Sequence, residues 1–281
     1  MNKWLVFIFC AITLIIVFNL SYFGNSGLLI YGLHNAEKNP KHSGNHHANS
    51  NLILSQHSFE KFMSRQEAES LVSRLKSHQK LWERRNIAMS TLGTASYLDG
   101  FDKREYIKKS KKSNIFMMEN YSDILEKVLV YFRAKCPGAR VEYRKNAALP
   151  GFHIFDCNSV FSLPVASVHK DLQYQKLTYF KDEEIDEVNT MSFTLAIELP
   201  PGGGGLYTFE NDSRNIFIPR PIAYSMAKKT KIDYKVGWIV THNGQTSHMI
   251  APCKTSASKK RITLQGHGIY EKNANIWWLY W

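Results

Sequence analysis

The chain is poor in cysteine, with four in 281 residues. Cys10 lies in an apolar run, which leaves Cys136, Cys157 and Cys253. That number excludes a fold held together by disulfides instead of a core. In an oxidising compartment one bridge can form, and Cys136–Cys157 would close a short loop. Negative charge is also in the minority: 24 Asp and Glu stand against 36 Lys and Arg, a formal net charge of +12. Such a balance is compatible with nucleic acid, anionic membrane or acidic substrates. The cations are scattered, however, with only local clusters such as Lys108-Lys109-Ser110-Lys111-Lys112. No aromatic-basic recognition motif accompanies them, so a solvated basic face is expected and nucleic acid is not the expected partner. No internal repeat is evident. The run Pro200-Pro201-Gly202-Gly203-Gly204-Gly205 is no phosphate loop, because it lacks the Gly-Lys-Ser/Thr ending and precedes a strand; its glycines read as a tight hairpin turn. Apolar residues are not lacking: 44% hydrophobic and 13% aromatic content is ample for a core and excludes a disordered chain.

The first 23 residues read as a targeting segment. Trp4 to Leu20 is an uncharged run of 17 residues preceded by Lys3. A spanning helix needs about 17 apolar residues or more, and a secretory apolar region has only about 7–15. Residues 1–23 are therefore expected to form a signal anchor, with a cleaved signal peptide as the alternative at a weak Gly24-Asn25-Ser26 context. Lys3 precedes the run and Lys38 is the first cation after it. This places the N-terminus in the cytoplasm and the body on the luminal or extracytoplasmic side of the membrane; cleavage would make the protein secreted. Residues 24–52, with His42, His46 and His47, read as a flexible stem with solvated histidines. Asn120-Tyr121-Ser122 and Asn211-Asp212-Ser213 match the short glycosylation pattern.

Residues 53–281 read as one domain of the α+β, mainly β class, with helical support over about 53–139 and a β-core over about 140–271. Ser64 and Glu67 make a capping box, followed by Ala68, Leu71, Val72 and Leu75 at helical spacing. A second helix is predicted from about Ser122 to Pro137-Gly138, with Ile124, Leu125, Val128, Leu129 and Phe132 on one face. From Val141 short alternating strands take over, among them VEYRK, FHIF, SFTLAIEL, GLYTFE, GWIVTH and RITLQGHGIY. Many short strands at this spacing predict a double-stranded β-helix (jelly-roll) or related barrel.

Within that core three residues point to a metal. His169 and Asp171 are two apart on a predicted strand, so both side chains face the same way. His248 follows Gly237-Trp-Ile-Val-Thr-His242-Asn-Gly244, read as a strand and an Asn-Gly hairpin turn. Two imidazoles and one carboxylate are the facial ligand set of non-haem Fe(II) oxygenases. His242, 19 residues before Arg261 where His248 stands 13 before it, competes for the distal position. Arg261, Thr263, Gln265 and His267 share one strand face. An arginine pointing into a small barrel needs a partner, and the guanidinium fork fits a carboxylate.

This ordered set (His-x-Asp, glycine turn, distal His, Arg) resembles the Fe(II)/2-oxoglutarate-dependent dioxygenase superfamily, most closely its prolyl-4-hydroxylase-like branch, over residues 140–271. The resemblance implies Fe(II) on His169, Asp171 and His248. It places 2-oxoglutarate on Arg261, with Thr263 beside it and Tyr174, Gln173 and Tyr179 as lining candidates. O2 is then the second cosubstrate and ascorbate a supporting reductant. It also implies hydroxylation with release of succinate and CO2. The Asp171 carboxylate argues against halogenation, because related halogenases lack it. A protein side chain such as proline is the first expected substrate, and a lipid or small metabolite the second. The rivals are a cupin-like metal enzyme without 2-oxoglutarate and a non-catalytic membrane-anchored β-barrel binding module. His153 is read as a core histidine. The ending Trp277-Trp278-Leu279-Tyr280-Trp281 either packs on the core or touches a membrane surface.

Overall fold

A computed structural model describes residues 57–157, 168–177, 185–210, 227–253 and 260–281. The expected anchor, the stem, Tyr179 and Asn211 lie outside them. Among the described residues no helix is long and apolar enough to cross a membrane.

Two sheets make up the β-structure. The larger has nine strands among the described residues, in the order β1(Ser58–Lys61), β9(Trp238–His242), β6(Ile185–Glu198), β11(Lys260–Glu271), β5(Gly151–Asp156), β3(Met89–Leu92) and β2(Glu83–Arg84). Past the end of β5, β11 also pairs with β12(Ile276–Tyr280), which runs parallel to β4(Arg140–Tyr143). The smaller sheet is β10(His248–Ala251), β7(Gly205–Phe209) and β8(Lys229–Asp233). Strand β11 is central because its residues alternate in use. Ile262 and Leu264 face one layer, Arg261 and Thr263 the other, and all four are buried.

The helices cover the outer face of the large sheet. Helix α1(Arg65–Ser77) starts at the capping box read from the sequence, with Ser64 accepting from the Glu67 amide at 3.1 Å and Glu67 accepting from the Ser64 amide at 2.6 Å. It buries Ala68, Leu71, Val72 and Leu75. A single turn, α2(Ser96–Asp99), precedes α3(Lys103–Lys135), which is broken at Tyr121 (φ −139°, ψ 20°). The half after the break is the predicted helix. Its Phe132 ring lies 5.1 Å from that of Phe193 on β6, and Tyr121 lies 5.1 Å from Phe152 on β5. The half before it has few apolar residues and no apolar stripe in the sequence. Asn120 sits at the break with its side chain donating to the Phe116 carbonyl, not on an exposed loop. Strands β1, β2 and β3 also lie in the stretch read as helical.

Three further expectations are overturned and one open alternative is decided. The turns Pro200–Gly205 and Asn243–Ser247 are not hairpins: each carries the chain from the large sheet to the small one. The His-x-Asp segment is not a full strand, because only His169 pairs, in a single bridge to His248. The disulfide joins Cys157 to Cys253, whose Cα atoms are 6.1 Å apart, while Cys136 is buried and free. Cys136 caps α3 in the helical layer, whereas Cys157 and Cys253 share a cluster with Ala88, Met89 and Phe155. The aromatic ending belongs to the core: Trp281 is fully buried, with its amide bonded to the Ala148 carbonyl at 2.9 Å. Glycine makes room for it, since a Cβ on Gly151 would lie 2.0 Å from the Trp281 ring.

Candidate metal centre

The two sheets present inner faces to each other, and the site lies between them. His169 and His248 exchange both backbone hydrogen bonds, each 2.9 Å, so the two imidazoles start from directly paired positions. The amide of Asp171 bonds to the carbonyl of Gly244 at 2.8 Å, tying the carboxylate segment to the turn that leads into β10. A Cβ on Gly244 would meet that Asp171 carbonyl at 2.9 Å, so the turn needs a residue without one. One potential ligand atom from each of His169, Asp171 and His248 lies within 4.8 Å of the others. Among the described residues no other group of three or more His, Cys, Asp or Glu is placed to hold an ion. The three side chains fit a facial triad.

Their protonation and orientation suit that role. The Nδ1–H of His248 donates to the Thr246 carbonyl at 2.8 Å, because a carbonyl can only accept. This leaves Nε2 bare, 3.4 Å from the Asp171 carboxylate, and orienting a ligand through its other ring nitrogen is the usual support of a metal-bound histidine. Burial pushes His248 down to about 3 against the pull of Asp171. Burial alone would raise the Asp171 carboxyl, but His248, His267, His169 and His242 around it hold it well below the usual carboxylate range. At neutral pH the centre is thus an ionised carboxylate with a neutral His248, the states that bind metal. Gln173 donates to Asp171 Oδ1 at 3.0 Å and fixes the carboxylate from behind.

His242 lies outside this group of three. Its ring is tilted 57° against that of His248, with centroids 4.6 Å apart, and it bonds through Nδ1 to the Asn243 carbonyl. His267 stands on the other side, 3.8 Å from Asp171 and 3.1 Å from the Ser192 hydroxyl. The sequence placed His267 on the inner face of β11 with Arg261 but gave it no task. Its neighbourhood to Asp171 is a tertiary fact that no local pattern encodes.

Arg261 is the second anomaly of the inner face. It is 0% exposed, and none of its three guanidinium nitrogens has a hydrogen-bond partner among the described residues. The rings of Phe155 and Tyr234 flank it, each with its centroid 5.2 Å from the guanidinium carbon, and the Tyr234 hydroxyl is its polar neighbour. Burial lowers its pKa, with Tyr234 opposing. A Cβ on Gly204 would come within 3.3 Å of the Arg261 side chain, so the glycine turn lies against it. A buried charge without a hydrogen-bonded counter-ion is costly. Among the described residues no carboxylate stands in hydrogen-bond or ion-pair contact with this guanidinium. Thr263 is fully buried two residues on, opposite His153 in the register of β5. His153 is buried too, and burial followed by the charge of Arg261 depresses its pKa well below the ordinary value. Tyr174 lies elsewhere, in a cluster with Tyr106, Leu177, Ile269 and Tyr280. Ile269 is eight residues along β11 from Arg261, so this cluster lies toward the other end of that strand.

No family model matches the chain, and no curated protein matches it in sequence. Solved structures with a similar chain trace include an N-substituted L-amino acid dioxygenase from Burkholderia ambifaria AMMD in complex with α-ketoglutarate. It is 11% identical, with a TM-score of 0.47 over 80% of this chain and 85% of that one. A non-haem α-ketoglutarate-dependent epimerase of nogalamycin biosynthesis is 9% identical, with a TM-score of 0.45 over 75% and 76%. A Pseudomonas putida prolyl-4-hydroxylase is 12% identical, with a TM-score of 0.35 over 77% and 92%. With identities this low, the functional reading rests on the residues of the site themselves.

Proposed function

We propose that the protein is an Fe(II)- and 2-oxoglutarate-dependent oxygenase that hydroxylates an unactivated C–H bond and releases succinate and CO2. The carrying observation is the pairing of a metal-binding triad with an unpartnered, fully buried guanidinium on the inner face of the same barrel. His169, Asp171 and His248 would hold the iron, a ligand set that leaves positions free for other donors. Arg261 would hold the far carboxylate of the keto acid, with Thr263 as a neighbouring hydroxyl donor. Bound there, iron and keto acid supply dioxygen activation; the chain supplies position, a fixed His248 tautomer and exclusion of water from Arg261. Ascorbate would serve as a reductant. A cupin-like enzyme without the keto acid accounts for the triad but leaves Arg261 unexplained.

The first substrate class is a protein side chain such as proline. In support, the His169 side chain is 44% exposed, so among the described residues the metal centre opens outward on that side. A lipid or small metabolite is the second class. The Cys157–Cys253 bridge supports a luminal or extracytoplasmic location, because disulfides persist in oxidising compartments.

The test is anaerobic titration of the protein with Fe(II) and 2-oxoglutarate, followed by the visible metal-to-ligand charge-transfer band. The band should form in the wild type, vanish in Asp171→Ala and weaken in Arg261→Ala. A folded, iron-loaded protein without the band would remove the keto-acid reading.

A further inference from the structure

The first half of α3 carries charge that the fold does not use. Arg104, Lys108, Lys111, Ile115 and Met118 follow one another at helical spacing (i, i+4, i+7, i+11, i+14) and all are exposed, with Lys112 at the edge of the stripe. Among the described residues Arg104, Lys111 and Lys112 enter no ion pair, and Lys108 has only a loose one to Glu105 at 3.9 Å. Lys109, on the flank, is the contrasting case: it is spent on Asp99 and Glu83 at 2.6 Å each. Ile115 is 61% exposed and Met118 49%, and Phe101, just ahead of the helix, is 58% exposed. The opposite side of this half, with Tyr106, Ser110 and Met117, is buried.

We propose that this stripe is a contact surface for a bilayer bearing anionic lipid headgroups. Cations and aliphatic tips on one face of a helix match such a surface twice. The cations meet the headgroup charge, and the apolar tips reach the acyl boundary. A nucleic acid would use the first property and leave the second idle. The same chain also carries the uncharged run Trp4–Leu20, which the sequence reading places in a membrane. The inference is independent of the metal centre and of any assigned reaction.

Amine-reactive footprinting of the full-length chain tests it. The protein is mixed with phosphatidylcholine vesicles with and without phosphatidylglycerol, and lysine modification is read by mass spectrometry. Lys108, Lys111 and Lys112 should be protected only by the anionic vesicles, and protection should fade at high salt. The exposed Lys61 and Lys80 should react equally throughout. At about fivefold in partitioning per cation near the surface, the three lysines together amount to roughly 100-fold. Replacing the exposed Ile115 and Met118 by Asp should reduce the protection without affecting the fold. Equal modification in all vesicles, or equal protection by neutral ones, would overturn the proposal. So would protection by a short DNA duplex in the absence of any vesicle effect, which would assign the stripe to a nucleic acid.

Discussion

Arg261→Met should make the protein more stable and, at the same time, unable to respond to its cosubstrate. The guanidinium is fully buried and has no hydrogen-bond partner among the described residues. Its effective desolvation penalty is several kcal/mol. The offset on hand is cation–π attraction to Phe155 and Tyr234, about 0.5–2 kcal/mol each. A methionine of similar length keeps most of the packing and removes the penalty, so the net gain should be ~1–3 kcal/mol. For a chain of this size, at about 2–4 °C per kcal/mol, the melting temperature should rise by roughly 2–12 °C. Thermal denaturation with Mn(II) in place of iron, with and without 2-oxoglutarate, then separates the two effects. At about 100-fold above its dissociation constant the keto acid should stabilise the wild type by ~2.7 kcal/mol and the variant not at all. A variant less stable than wild type without the keto acid would show that the guanidinium has an internal counter-ion. An undiminished response to 2-oxoglutarate would show that the carboxylate sits elsewhere.

Gln173→Ala removes the donor on Asp171 Oδ1 and should weaken metal affinity by about 10–100-fold. His242→Phe, which keeps a ring beside His248, should change it far less; isothermal titration with Mn(II) distinguishes the two. Asp99 is held below its ordinary 3.8: burial opposes, but hydrogen bonds from Arg85 and Lys109 prevail. A carboxyl with a depressed folded pKa adds stability that is present above its unfolded pKa and lost as pH falls through the folded one. Stability should therefore drop below about pH 4, and Asp99→Asn should remove part of that drop in urea titrations run across it. Reduction of Cys157–Cys253, which spans 96 residues, should cost about 4–5 kcal/mol on the chain-entropy account, measurable as a shift in the denaturation midpoint. Cys136, pushed up to about 11 by burial, should stay unalkylated in the native state.

The parts of this protein legible in its sequence are those with a local cause. The capping box at Ser64 and Glu67 is a pattern four residues long. The alternation of Arg261 and Thr263 with Ile262 and Leu264 follows from the pleat. The preference for His248 over His242 came from spacing and resemblance, and the structure brings His248 to Asp171 and leaves His242 behind it. What stayed hidden was set by distant partners. Strand β12 is almost wholly apolar and aromatic, so it shows no alternation. Strands β1 to β3 are two to four residues long and exist only because β9 pairs with β1, β5 with β3, and β3 in turn with β2. The turns at Gly202 and Asn243 have hairpin residues, yet their flanking strands find better partners in separate sheets. Cys253 lies far from Cys157 in sequence and shares a pocket with it only once β5 and β10 are in place.

The reciprocal backbone bonds between His169 and His248 have a kinetic consequence. Two residues of the triad are fastened to each other through their main chains, so their backbones cannot part without breaking a pair of amide–carbonyl bonds, while each imidazole still turns about its own side-chain bonds. The two amides should therefore exchange with solvent at one shared opening rate, set by the edge of the small sheet.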